Sequence, residues 1–148
     1  MCVTLADVAK GRVLMMLPSC LKPDSEIGAF QGVNPLGGNS PHYFMCVGVE
    51  GEDSYWCPLS SNKKPANIGS QDKQGTIQPA SKLGFDHWTG KESWYDSAQV
   101  WKIKNDAIVA CAGTERSNRR EGKVFNMVSI SLIHSIFPGA SSLGDTAH

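Results

Sequence analysis

HYFMCVGVEGEDSYWCPLSS, residues 42–61, reads as two strands around a turn. Residues 43–49 (YFMCVGV) are aromatic and β-branched, residues 50–53 (EGED) supply turn chemistry, and residues 54–60 (SYWCPLS) return as a strand. A four-residue loop pairs Val49 with Ser54, and this register then sets every cross-strand neighbour. Tyr55 falls opposite Gly48, Cys57 opposite Cys46, Leu59 opposite Phe44, and Ser61 opposite His42.

Working outward from this hairpin, residues 13–17 form a short strand between Gly11 and Pro18, followed by a loop rich in Gly, Pro, Asn and Ser up to Pro41. Residues 62–92 are polar and show little periodicity, so they read as a second long loop. Residues 94–103 and 107–112 read as a second hairpin turning at 104–106. Residues 114–123 are polar and basic. Beyond them Phe125, Val128, Leu132 and Ile136 recur at helical spacing, which favours a C-terminal amphipathic helix. The alternation of Val128, Ile130 and Leu132 keeps a strand reading open. Pro138 and Gly139 end that element, and residues 138–148 read as a flexible tail. The fold class expected is mainly β (α+β), with one domain over residues 1–137.

Composition narrows the classes. With 148 residues the chain fits one domain large enough to bury a core, and 41% hydrophobic with 19% charged residues is an ordinary globular profile. Lys and Arg total 14, as do Asp and Glu, so binding to nucleic acid would rely on local patches rather than on net charge. No apolar run approaches the roughly 20 residues of a membrane span, and the N-terminus lacks a signal-peptide pattern, so a soluble, cytoplasmic protein is expected. Five scattered cysteines without CxxC spacing argue against both a secreted disulfide scaffold and a zinc ribbon, and no metal or cofactor is expected.

Several residues are candidates for chemistry. His42 opposite Ser61 joins a proton carrier that works near neutrality to a hydroxyl that can donate to a developing oxyanion. The alternative is a pair of solvated polar residues at the end of a sheet. Cys46 opposite Cys57 is compatible with a cross-strand disulfide or half a metal site, but apolar strands favour buried thiols. The four tryptophans, Trp56, Trp88, Trp94 and Trp101, are candidate stacking platforms for unpaired bases; Trp56 and Trp101 read rather as core, and Trp88, beside His87 and Lys91 in the long loop, is the one singled out as an exposed platform. Lys63 and Lys64 follow the hairpin and bring positive charge to its open end. Arg116, Arg119, Arg120 and Lys123 form either a phosphate contact or a plain surface turn.

The order of these elements resembles the MazF/PemK-type toxins and their relatives ToxN and CcdB. The resemblance rests on Gly11-Arg12-Val13, the loop ending in Pro41, the strand HYFMCVGV, the returning Cys57-Pro58-Leu59-Ser60-Ser61, residues 97–103 (SAQVWKI) and Gly122-Lys123 before the last helix. It implies a small SH3-like β barrel with a C-terminal helix and two long loops. In ribonuclease members a basic residue beside the proline before the second strand, and a Ser or Thr after the Pro-x of the third, act on the scissile phosphate. Here these correspond to the neighbourhood of Pro41 and to Ser60, with Ser61 adjacent. Ser40 stands before Pro41 where many members carry Arg, so the basic role passes to His42, Lys63 or Lys64. The resemblance thus implies a toxin that cleaves single-stranded RNA without metal, with catalytic residues His42, Ser60, Ser61 and Lys63. Its RNA contacts would be Lys64, Trp88, Lys91, Arg116, Arg119 and Arg120. A protein or small-RNA antitoxin and a homodimer or RNA-linked assembly are the partners implied. A non-enzymatic inhibitor on the same fold, gyrase-directed or phage-encoded, and an SH3-like interaction module are the competing readings.

Overall fold

The computed structural model describes residues 4–16, 42–60, 74–84, 86–96, 100–112, 126–136, 139–140 and 143. The central hairpin is formed by β2 (His42–Glu50) and β3 (Asp53–Ser60). Its loop is tighter than expected, because Glu50 pairs with Asp53 and only Gly51 and Glu52 turn the chain. Gly51, at φ 62°, holds the first central position, where a two-residue hairpin loop calls for a positive φ.

Near the turn the register is the expected one, Val49 with Ser54 and Gly48 with Tyr55, but an irregularity between Cys46 and Gly48 shifts it by one residue. Cys46 therefore faces Trp56, Met45 faces Cys57, and Phe44 faces Pro58. The expected pairs Cys46 with Cys57 and Phe44 with Leu59 do not form. The physical reason is a bulge at Val47, which gives β2 one residue more than β3 over this stretch.

The bulge reconciles β2 with two cores. Phe44, Cys46 and Val49 join one buried cluster with Leu14, Met16, Trp56, Trp101, Ile103 and Ile108. Met45 and Val47 join the other with Val13, Cys57, Leu59, Ile77, Trp88 and Ile133. Strict alternation would have put Val49 on the same face as Met45 and Val47, and the extra residue returns it to the face of Phe44. With both faces covered, β2 reads as an unbroken apolar run.

Around this hairpin lie β1 (Arg12–Met16), β4 (Gln74–Ile77), β5 (Lys82–Leu83), β6 (Ser93–Asp96), β7 (Trp101–Lys104) and β8 (Asn126–Val128). They form one antiparallel sheet in the order β4-β6-β3-β2-β1-β8-β5, nearly closed into a small β barrel, with β7 also on β3. Two strands share the outer edge of β3, β7 along Asp53 to Trp56 and β6 along Leu59 and Ser60. Pro58, which has no N–H to give, sits in the gap between them.

Three α-helices, α1 (Asp86–Thr89), α2 (Asn105–Ala112) and the C-terminal α3 (Ile130–Ile136), and two 3-10 turns, Leu5–Asp7 and Pro79–Ser81, complete the described chain. Two expectations are corrected here. Residues 107–112 are helical rather than a returning strand, because Ile108 and Cys111 bury at a three-residue spacing while Asp106 and Ala110 face solvent. The Asn105 N–H donates to the Glu52 carbonyl (2.8 Å) and its side-chain amide to the Gly51 carbonyl (3.2 Å), so the helix starts against the hairpin tip. Residues 62–92 are not one structureless loop, since β4, β5 and α1 fall within them. At the C-terminus the two periodicities follow one another: Asn126 and Val128 alternate into the core as a strand, then Ile133 and Ile136 bury on a helix.

Residues 139–143 are also not a free tail where they are described. Ala140 is fully buried, and the Leu143 side chain lies against Gly48. Buried Lys10 donates from Nζ to the carbonyls of Ala140 (2.7 Å) and Leu143 (3.1 Å). Its Nζ is also 3.2 Å from Nε2 of His134, which acts as the acceptor toward an ammonium.

Candidate functional site

The β2–β3 ladder is paired as far as Phe44–Pro58; beyond it β2 continues along β1, with Met16 opposite His42, and β3 continues along β6, with Ser60 opposite Trp94. Extending the Phe44–Pro58 register past its last pair would put His42 level with Ser60 rather than with Ser61 as the sequence register had it. Both lie on the face that carries Phe44 and Trp56, since side chains alternate along a strand. Thr76 is opposite Trp94 on the next strand. A row therefore crosses the end of the sheet in the order Met16, His42, Ser60, Trp94, Thr76, with facing Cβ atoms roughly 4.5–5.5 Å apart at each paired step. Met16 is fully buried and the other four are half-buried.

The remaining sequence candidates divide in two. Ser61, Lys63, Lys64, Arg116, Arg119 and Arg120 lie outside the described residues. Lys91 is exposed. Trp88, expected as an exposed platform, is 1% exposed and belongs to the core. Its ring packs on Tyr43, with centroids 4.9 Å apart at 57°.

A lysine explains why Trp88 turns inward. Lys82 on β5 is 5% exposed, and its ammonium stands 3.8 Å from the centroid of the Trp88 ring. The Lys82 Nζ donates to the Trp88 carbonyl (3.0 Å), to Ser93 Oγ (2.7 Å) and to the Lys91 carbonyl, so each of its three N–H bonds has an acceptor. Burial pushes its pKa down to about 8, and the charge of Glu92 works against that shift. Ser93 and Tyr43 adjoin Trp94 and His42 in the chain. The lysine thus braces, from the opposite face, two of the strands that carry the row, β6 through Ser93 and β2 through Trp88 and Tyr43. A lone lysine in a polar stretch gives no local sign of this role, and Lys82 was not among the candidates.

Among the described residues the cysteines are not placed for catalysis. Cys46 and Cys57 are buried free thiols, and burial raises the Cys46 thiol to about 12, which keeps it protonated at neutral pH. Cys111 is disulfide-bonded, with its partner outside the described residues. Among the described residues no group of three or more His, Cys, Asp or Glu is placed to hold a metal ion. None of the described helices is long and apolar enough to cross a membrane.

No family model, curated protein or solved structure matches the chain.

Proposed function

We propose that this protein is an endoribonuclease toxin that cleaves single-stranded RNA without a metal ion, held in check by an antitoxin. The observation that carries the reading is the pairing at the end of the sheet, with half-buried His42 opposite Met16 on β1 and half-buried Ser60 opposite Trp94 on β6; continuing the β2–β3 register would bring the two level on one face. In the reaction proposed, the ribose 2′-hydroxyl attacks the adjacent phosphate, giving a cyclic phosphate and a free 5′-hydroxyl. His42 takes the proton from the 2′-hydroxyl and returns it to the departing 5′-oxygen, and the Ser60 hydroxyl donates to the oxyanion of the phosphorane.

Purified protein is expected to cut single-stranded RNA in EDTA. His42→Ala and Ser60→Ala should each slow cleavage by roughly 100- to 10,000-fold without altering the far-ultraviolet circular dichroism. Full activity in both variants would remove the site assignment.

Ser40 before Pro41 favours a second reading, a non-enzymatic inhibitor on the same barrel, because the Arg that many ribonuclease members carry there is missing. Growth arrest on expression with no RNA cut would select it.

A further inference from the structure

We infer that Trp94 is the platform on which a base of bound single-stranded RNA stacks, beside the His42 and Ser60 pair. The inference rests on the reading of the chain as an RNA-binding protein and adds to it the residue that holds the base. Exposure selects the residue: of the four tryptophans, Trp56, Trp88 and Trp101 are each 1% exposed or less, whereas Trp94 is half-buried. Stacking needs an indole that is not fully buried, and of the four tryptophans Trp94 alone meets that condition.

Position makes the same selection. Trp94 is the direct cross-strand neighbour of Ser60, and on its other side it faces Thr76. The row therefore runs from a hydroxyl that can bond a base edge, through an aromatic surface, to a hydroxyl and an imidazole suited to a phosphate. One nucleotide presents these parts in the same order: base edge, base face, then sugar and phosphate. The neighbours of Trp94 in the row are hydrogen-bonding groups, which suits a nucleobase better than an apolar peptide side chain. Lys82 holds the residue before Trp94 from the opposite face through Ser93 Oγ, which lowers the ordering cost of binding at this strand.

The test uses the full chain and a 2′-O-methyl single-stranded RNA, which cannot undergo attack by its own 2′-hydroxyl. Binding should quench tryptophan emission in the wild type. Trp94→Leu should weaken binding by about 5- to 100-fold and abolish the quench. Trp94→Phe, which keeps an aromatic face, should retain most of the affinity while also losing the quench, and it serves if Trp94→Leu does not fold. Wild-type affinity in Trp94→Leu, a quench that survives in Trp94→Phe, or no binding by the wild type would each overturn the platform. Parallel assays with unmodified RNA separate the two claims. Cleavage that continues unchanged in Trp94→Leu leaves the nuclease and removes the platform, whereas Trp94-dependent binding with no cleavage leaves the platform and removes the nuclease.

Discussion

Lys82 shows how one buried charge can hold a region that local sequence describes as loop. Its ammonium meets two carbonyls, a hydroxyl and an indole ring, so replacing it with Met leaves three acceptors without their donor. Lys82→Met should destabilise the protein by about 1–3 kcal/mol in urea denaturation at neutral pH. The same residue sets a pH dependence. Its folded pKa of about 8 lies below the ordinary 10.5, so between these values the unfolded chain binds more protons than the folded one. The contribution of this group to stability therefore rises with pH across that window and is smallest below it. In Lys82→Met the increment in stability between neutral pH and about pH 10 should be smaller than in the wild type. An equal increment in both would show that the lysine ionises as it does in water.

The bulge in β2 is the element on which the position of the site depends. Turn chemistry and an unbroken apolar run made the hairpin legible in the sequence, and the pairs Val49–Ser54 and Gly48–Tyr55 were legible with it. The extra residue at Val47 was not, because it answers to packing on two faces rather than to any local signal. Continued past Phe44–Pro58, the shifted register would bring Ser60 level with His42 where the unshifted one would bring Ser61. Gly48, beside the bulge, is in contact with Leu143, and a Cβ added there would collide with the leucine side chain. Gly48→Ala should accordingly cost about 1–3 kcal/mol in thermal or denaturant unfolding. Adding Leu143→Ala to that variant should recover part of the loss; no recovery would show that the collision lies elsewhere. Helix α2 was misread for a related reason. Ala107, Ile108, Val109, Ala110, Cys111 and Ala112 suit a buried strand as well as a helix in so short a run, and the bonds from Asn105 to the hairpin tip decide between them.

At the scale of the molecule, a mainly β barrel with a C-terminal helix was legible, and most of the pairing that closes the sheet was not. Strands β4 and β5 are four and two residues long and owe their form to distant partners, β6 and β8, so their own composition reads as loop. Trp88 was misplaced in the same way. Its polar neighbours in sequence suggested a surface position, but the contacts that bury it come from β2 and β5. The candidate site was legible as residue types at one end of the hairpin, His42 and Ser60 among them. Trp94 was legible only as one of four tryptophans, and the sheet and its burial select it by placing it opposite Ser60. The central claim is that His42 and Ser60 act as a unit on one phosphate, and single-turnover cleavage of one RNA by wild type, His42→Ala, Ser60→Ala and the double variant measures it directly. The losses of groups that act together do not multiply, so the double variant should be no more than a few-fold slower than the slower single variant. Losses that multiply, or wild-type rates in either single variant, would contradict the claim.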